Sequence, residues 1–125
     1  MIRMNQKEFE TKMKKAKKKL GDERLHDVCE ACIKSSRGFG ENGSRQLYIA
    51  TEEMAELIQC IQKALRGKID KTHTVEEMAD VIIGLEYVKQ VLEIDDDAIY
   101  KALNVKLDRI QDEISKAEKS GKPFK

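Results

Sequence analysis

Two short acidic motifs are the part of this chain whose residue types and spacing could do chemistry. They are Glu52-Glu53-Met54-Ala55-Glu56 and Glu77-Met78-Ala79-Asp80. Glu53 and Glu56 stand three residues apart, as do Glu77 and Asp80. Residues i and i+3 share a helix face, so each motif aims a carboxylate pair in one direction. Charged helices contain such pairs by chance, usually on a solvated face, so placement against the apolar residues decides. At about 100° per residue with Glu77 at zero, Val81, Leu85, Val88 and Leu92 fall at roughly 20–80°, and Gly84 and Val91 at roughly 320–340°. Glu77 therefore lies inside the apolar arc. Asp80, at roughly 300°, lies between Tyr87 and Val91. The polar strip of this helix falls at Glu86, Gln90 and Glu93, and the helix is expected to be buried nearly all round.

On the preceding helix Ala50, Met54, Leu57, Ile58, Ile61 and Leu65 form the apolar arc. Glu53 lies at its edge beside Cys60 and Ala64, and Glu56 lies about 60° further out. If the two helices form an antiparallel hairpin, both pairs face one cleft. Buried carboxylates are costly, and several close together repel one another. They must be protonated, paired with bases or bound to a cation. No Lys or Arg occupies the matching positions on these helices. A hard divalent cation resolves the conflict, and an all-oxygen donor set suits Mg²⁺ or Mn²⁺ better than zinc. A di-iron bundle would need two Glu-x-x-His motifs. The chain offers only Glu23-x-x-His26, while His73 follows Asp70 in what reads as a loop.

The elements that must position these residues follow from periodicity and punctuation. A first helix is expected from about Gln6 to Leu20, interrupted at Gly21, and a second from about Asp22 to Ser36. Three glycines and an Asn-Gly between Arg37 and Ser44 mark a loop. Ser44 can cap a third helix running to about Arg66, stopped by Gly67. Thr74 and Glu77 have the form of a capping box opening a fourth helix that runs to about Glu93. Asp95, Asp96 and Asp97 place negative charge at the start of a fifth, ending near Lys119 before Gly121 and Pro123. Nothing alternates with period two for long enough to be a strand. The expectation is an all-α bundle of four to five helices, with a basic N-terminal helix over 1–21 and a helical domain over 22–125.

At 125 residues, 40% hydrophobic and 38% charged, the chain suits one domain of amphipathic helices with charged outer faces. No apolar run forms a signal peptide or approaches a membrane span, so a cytoplasmic protein without membrane attachment is expected. Residues 1–21 carry a balance of +6, centred on Lys12, Lys14, Lys15, Lys17, Lys18 and Lys19, and the remainder is at −5. Such a cluster can touch nucleic acid. Phe9, Met13, Ala16 and Leu20 form an apolar stripe beneath it, so a solvated helix face is the plainer reading and nucleic acid is not the expected partner. Cys29, Cys32 and Cys60 are an odd number of thiols, and the one Cys-x-x-Cys has no second pair to complete a zinc site. They read as buried thiols packing as small hydrophobes.

Taken together, Glu52-Glu53-x-x-Glu56-Leu57, nineteen intervening residues and Glu77-x-x-Asp80-Val81 resemble the E-E-x-x-E-L … E-x-x-D signature of the all-α nucleoside triphosphate pyrophosphohydrolases, the MazG-like enzymes and their dimeric dUTPase and dCTPase relatives. Gln46-Leu47 ahead of the first motif and Asn104-x-Lys106-Leu107-x-Arg109 on the last helix are similar to the family's pattern. The likeness covers about residues 22–112 and has no counterpart for residues 1–20.

The resemblance implies Mg²⁺-dependent hydrolysis of a nucleoside triphosphate to a monophosphate and pyrophosphate. It implies that Glu53, Glu56, Glu77 and Asp80 hold the ion and that Glu52 binds a further ion or orients the attacking water. It extends substrate contact to Gln46, Asn104, Lys106 and Arg109. Lys106, at the edge of the Ile99, Leu103, Ile110, Ala117 stripe, can bind phosphate as a point charge or simply snorkel. Phe39 can stack on a base or anchor its loop. Gly84 stands where the dCTPase relatives have an aromatic residue, and the chain has no tryptophan. The resemblance also implies a homodimer or homotetramer. The contrasting class is a non-catalytic helical module binding nucleic acid through its lysine-rich first helix.

Overall fold

A computed structural model describes residues 4–15, 22–36 and 43–121. Among these residues the chain is all-helical, with no strand. The helices are α1 (Gln6–Lys15), α2 (Asp22–Ser36), α3 (Ser44–Leu65), α4 (Lys71–Val91) and α5 (Asp96–Ser120). No described helix is long and apolar enough to cross a membrane. Phe39 and its glycine-rich neighbours before Gly43, Lys17, Lys18, Lys19, Gly21 and Pro123 lie outside the described residues. Two compact units emerge, Met1–Glu93 and Ile94–Lys125.

The first unit is organised around the antiparallel pair α3 and α4. Gly84 is buried against Ala50, and a Cβ at Gly84 would lie 3.1 Å from the Ala50 Cα and 3.3 Å from its Cβ. These two small residues let the helix axes approach closely and fix their register. One turn toward the connecting loop, the same register brings Glu53 level with Asp80 and Glu56 level with Glu77.

The ends of these helices differ in part from their sequence signals. Ser44 is the first residue of α3; the cap position is Gly43, which holds a left-handed φ of 79° and makes no side-chain capping bond. A Cβ at Gly43 would lie 2.6 Å from the Val91 Cγ2, so glycine is required there on two counts. Gly67, at φ 82°, terminates α3 as expected, with the Lys68 N–H donating to the Lys63 carbonyl at 2.9 Å. α4 begins earlier than the Thr74 capping box suggests. Asp70 is the cap, its Oδ1 accepting from the His73 N–H at 3.0 Å. The Thr74 hydroxyl instead donates to the Asp70 carbonyl at 2.7 Å, inside the first turn. His73 is therefore a helical residue and not a loop residue.

α2 packs on a second face of α4. The Tyr87 hydroxyl donates to the Cys32 Sγ at 3.3 Å, and Gln90 Nε2 donates to the His26 carbonyl at 3.0 Å and to Glu86 Oε2 at 2.8 Å. Glu86, expected on the water-facing strip, is buried here and paired with Lys89 at 2.6 Å. The strip was read from α4 alone, and α2 is what covers it. The expected all-round burial of α4 also fails on one side. Val75, Met78, Ile82, Leu85 and Leu92 are 45–56% exposed and form a stripe along α4.

The second unit is α5. Asp95 caps it by accepting from the Asp97 N–H at 3.1 Å, and Gly121 closes it at φ 70°. The aspartates do the work at the N-terminus that the sequence assigned to them.

Because the α3–α4 register rests on a close backbone approach, Gly84→Val should lower stability by about 1–3 kcal/mol, the usual cost of overpacking. Chemical denaturation measures this, and an unchanged midpoint would show that the approach is not what sets the register.

Candidate metal centre

Glu53, Glu56 and Glu77 each place one carboxylate oxygen so that all three lie within 4.8 Å of one another. Glu77 is completely buried, Glu53 is 5% exposed, and Glu56 is half-buried at the margin. The placements follow from the two helical faces. Glu77 sits about two turns from Gly84 on the inner arc of α4, and Glu53 sits just beyond Ala50 on the inner arc of α3.

The electrostatics are those of crowded acids. Burial pushes the Glu53 carboxyl up from 4.5 to about 7, and the neighbouring Asp80 and Glu77 charges and a hydrogen bond with Asp80 add to the shift. Glu53 Oε2 is enclosed and has no hydrogen-bond partner. An enclosed acceptor of this kind, on a residue clustered with two further carboxylates, suits a hard cation. The donor set present fits Mg²⁺ or Mn²⁺, both of which take carboxylate oxygens.

The other sequence-predicted residues distribute unevenly. Asp80 joins the group through Glu53 and is not one of the three mutually close ligands. Glu52 is exposed on α3. Gln46 is fully buried on α3, two turns before Glu53, with neither amide atom hydrogen-bonded. Asn104, Lys106 and Arg109 are exposed residues of α5 in the second unit. Phe39 lies outside the described residues.

Sequence reasoning missed His73. Its Nε2 lies 3.6 Å from Glu77 Oε1 and its Nδ1 lies 4.0 Å from Glu76 Oε2. The signal that could have found it is Asp70, a cap three residues upstream, which puts His73 at i−4 from Glu77 on the same face. An apolar groove of about 470 Å³ is lined in part by Cys60, Ile61, Lys71, Thr74 and Val75. Cys60 and Thr74 each stand about one turn from the clustered carboxylates of their own helix. The buried Cys29 thiol is pushed up to about 11, by burial first and then by Glu86, which leaves it a packing residue and not a nucleophile.

No family model matches the chain, and no curated protein or solved structure is measurably similar to it.

The raised Glu53 value has a definite sign. A folded-state pKa above the unfolded one contributes stability that is full below about pH 4.5 and is lost as pH rises through about 7. Without divalent cations, the melting temperature should therefore fall between about pH 5 and 8. Millimolar Mg²⁺ or Mn²⁺ should restore it at the upper end far more than at the lower. Glu53→Gln should flatten both responses; a pH-independent, cation-insensitive melting temperature in the parent protein would contradict the centre described here.

Proposed function

We propose that the chain is a MazG-like nucleoside triphosphate pyrophosphohydrolase, hydrolysing NTP or dNTP to a monophosphate and pyrophosphate in a Mg²⁺-dependent reaction. The observation that carries this reading is the convergence of the buried Glu53 and Glu77 with the half-buried Glu56, within 4.8 Å, from the very positions of the E-E-x-x-E … E-x-x-D pattern.

In this reading Glu53, Glu56 and Glu77 hold the ion, with Asp80 completing the set through its bond to Glu53. When bound, Mg²⁺ supplies charge neutralisation for the phosphates and lowers the pKa of water. Carboxylates alone would repel a triphosphate, so their role is to concentrate positive charge where the anion must lie. Glu52, exposed at the edge of the same helix, orients the attacking water. Gln46 offers an unmet amide donor and acceptor to substrate, and the family resemblance adds Asn104, Lys106, Arg109 and Phe39. The apolar groove past Cys60 and Thr74 leaves room for the nucleoside end of the molecule, with the Lys71 ammonium at its rim. The active form is a homodimer or homotetramer in the cytoplasm; the exposed Val75, Met78, Ile82, Leu85 and Leu92 stripe on α4 supports a partner subunit.

The test is a panel of ordinary and modified nucleotides incubated with Mg²⁺ and assayed for pyrophosphate. Release from at least one nucleotide is expected, and none from any, by folded protein, removes the enzyme reading. Glu77→Gln should cut activity by at least about 100-fold, since even outer-shell partners of a metal carry about 10–100-fold. It should also weaken Mg²⁺ binding while leaving helix content nearly unchanged.

A further inference from the structure

The His73 ring stands beside Glu77 of the carboxylate cluster, and its position there is built, not incidental. Asp70 caps the helix by accepting from the His73 N–H itself at 3.0 Å, which holds this residue in the first turn. One turn later comes Glu77, so the imidazole and the fully buried carboxylate share a face. The ring stands between two buried acids, with Nε2 at 3.6 Å from Glu77 Oε1 and Nδ1 at 4.0 Å from Glu76 Oε2.

The 3.6 Å separation is longer than a good hydrogen bond. It is close to a different spacing. A nitrogen and an oxygen donor, each about 2.1 Å from one ion, lie about 3.0 Å apart at a right angle and about 3.4 Å apart at a tetrahedral angle. The ring is also about a third exposed, so it can turn toward an ion arriving from solvent. Glu77 belongs both to this pair and to the Glu53, Glu56, Glu77 cluster; His73 stands outside that 4.8 Å group, so its ring reaches a shared ion by turning about its exposed side.

We infer that His73 is a nitrogen ligand of the metal centre, forming with Glu77 a mixed nitrogen–oxygen edge on an otherwise all-carboxylate site. The inference rests on the metal centre proposed above and extends it to the identity of the ion. Imidazole is a poor partner for Mg²⁺ and a good one for the later first-row divalent ions. At the His73 edge the chemistry thus favours a borderline first-row ion over Mg²⁺, Mn²⁺ being the hardest and most weakly held of that series and the one the carboxylates accept as readily as Mg²⁺.

Mn²⁺ is the probe. Pulsed electron paramagnetic resonance of the Mn²⁺-loaded protein should show coupling to a directly bound imidazole nitrogen, altered as expected when histidine is labelled with ¹⁵N. The coupling should vanish in His73→Gln and persist in His26→Gln, the chain having only these two histidines. His73→Gln should also weaken Mn²⁺ about 10-fold or more while moving Mg²⁺ affinity much less. Bound Mn²⁺ without histidine coupling, or with coupling that survives His73→Gln, overturns the inference and leaves the carboxylate centre standing. A parent protein that binds no Mn²⁺ at all overturns both. If His73→Gln fails to fold, coupling that persists in His26→Gln still assigns the nitrogen to His73, and coupling lost there overturns the inference.

Discussion

Like charges in a cleft of low dielectric are the constraint on which the rest of this molecule depends. Two carboxylates at the 4.8 Å limit of the cluster repel by about 3.5 kcal/mol at an effective dielectric of about 20. Three such acids face one another between α3 and α4, with Asp80 beside them. A fold that needed only stability would place alanine or leucine there. This one instead brings the acids together with a Gly84–Ala50 contact close enough that any larger residue at Gly84 must push Ala50 away. The apo protein answers by holding a proton on Glu53 to near neutral pH, and a cation would answer more completely.

The opposite side of α4 shows what a self-sufficient buried carboxylate looks like. Glu86 is buried about as deeply as Glu53, yet it has Lys89 at 2.6 Å and the Gln90 amide at 2.8 Å. Gln90 in turn ties this group to the α2 backbone at His26. The polar network is completed from within the chain, so it serves to pin α2. Glu53 Oε2 has no such completion. The contrast lies within one helix pair and one solvent environment, which is why it separates a structural acid from a ligand-seeking one.

How far the sequence revealed this depends on the number of helices a residue touches. Glu77 was legible because its burial is set by the periodicity of α4 itself, and Glu53 was legible at the margin of α3. Glu86 was not, because α2 buries it and a single helix's pattern carries no record of its neighbour. The start of α4 was misplaced for a more local reason. Two capping signals compete, Asp70 and Thr74, and the earlier one wins by gaining a whole extra turn of backbone bonds, Thr74 being absorbed as a helical residue that bonds back to Asp70. His73 disappeared into a supposed loop through that same choice. Glu52, read with its neighbours as part of the chemistry, is an outward residue of α3, as expected of the position next to an inward one.

The contact between Gly84 and Ala50 lies far along the hairpin from the connection that joins its two helices. The segment from Arg66 to Asp70 therefore has no part in aligning the acids; it needs only to span the gap and present a cap. Lengthening a flexible connection costs little, about 0.6 kcal/mol for each doubling. This tip of the hairpin is accordingly where the chain can accept foreign residues, a tag or a short reporter peptide, while its acidic cleft keeps its shape.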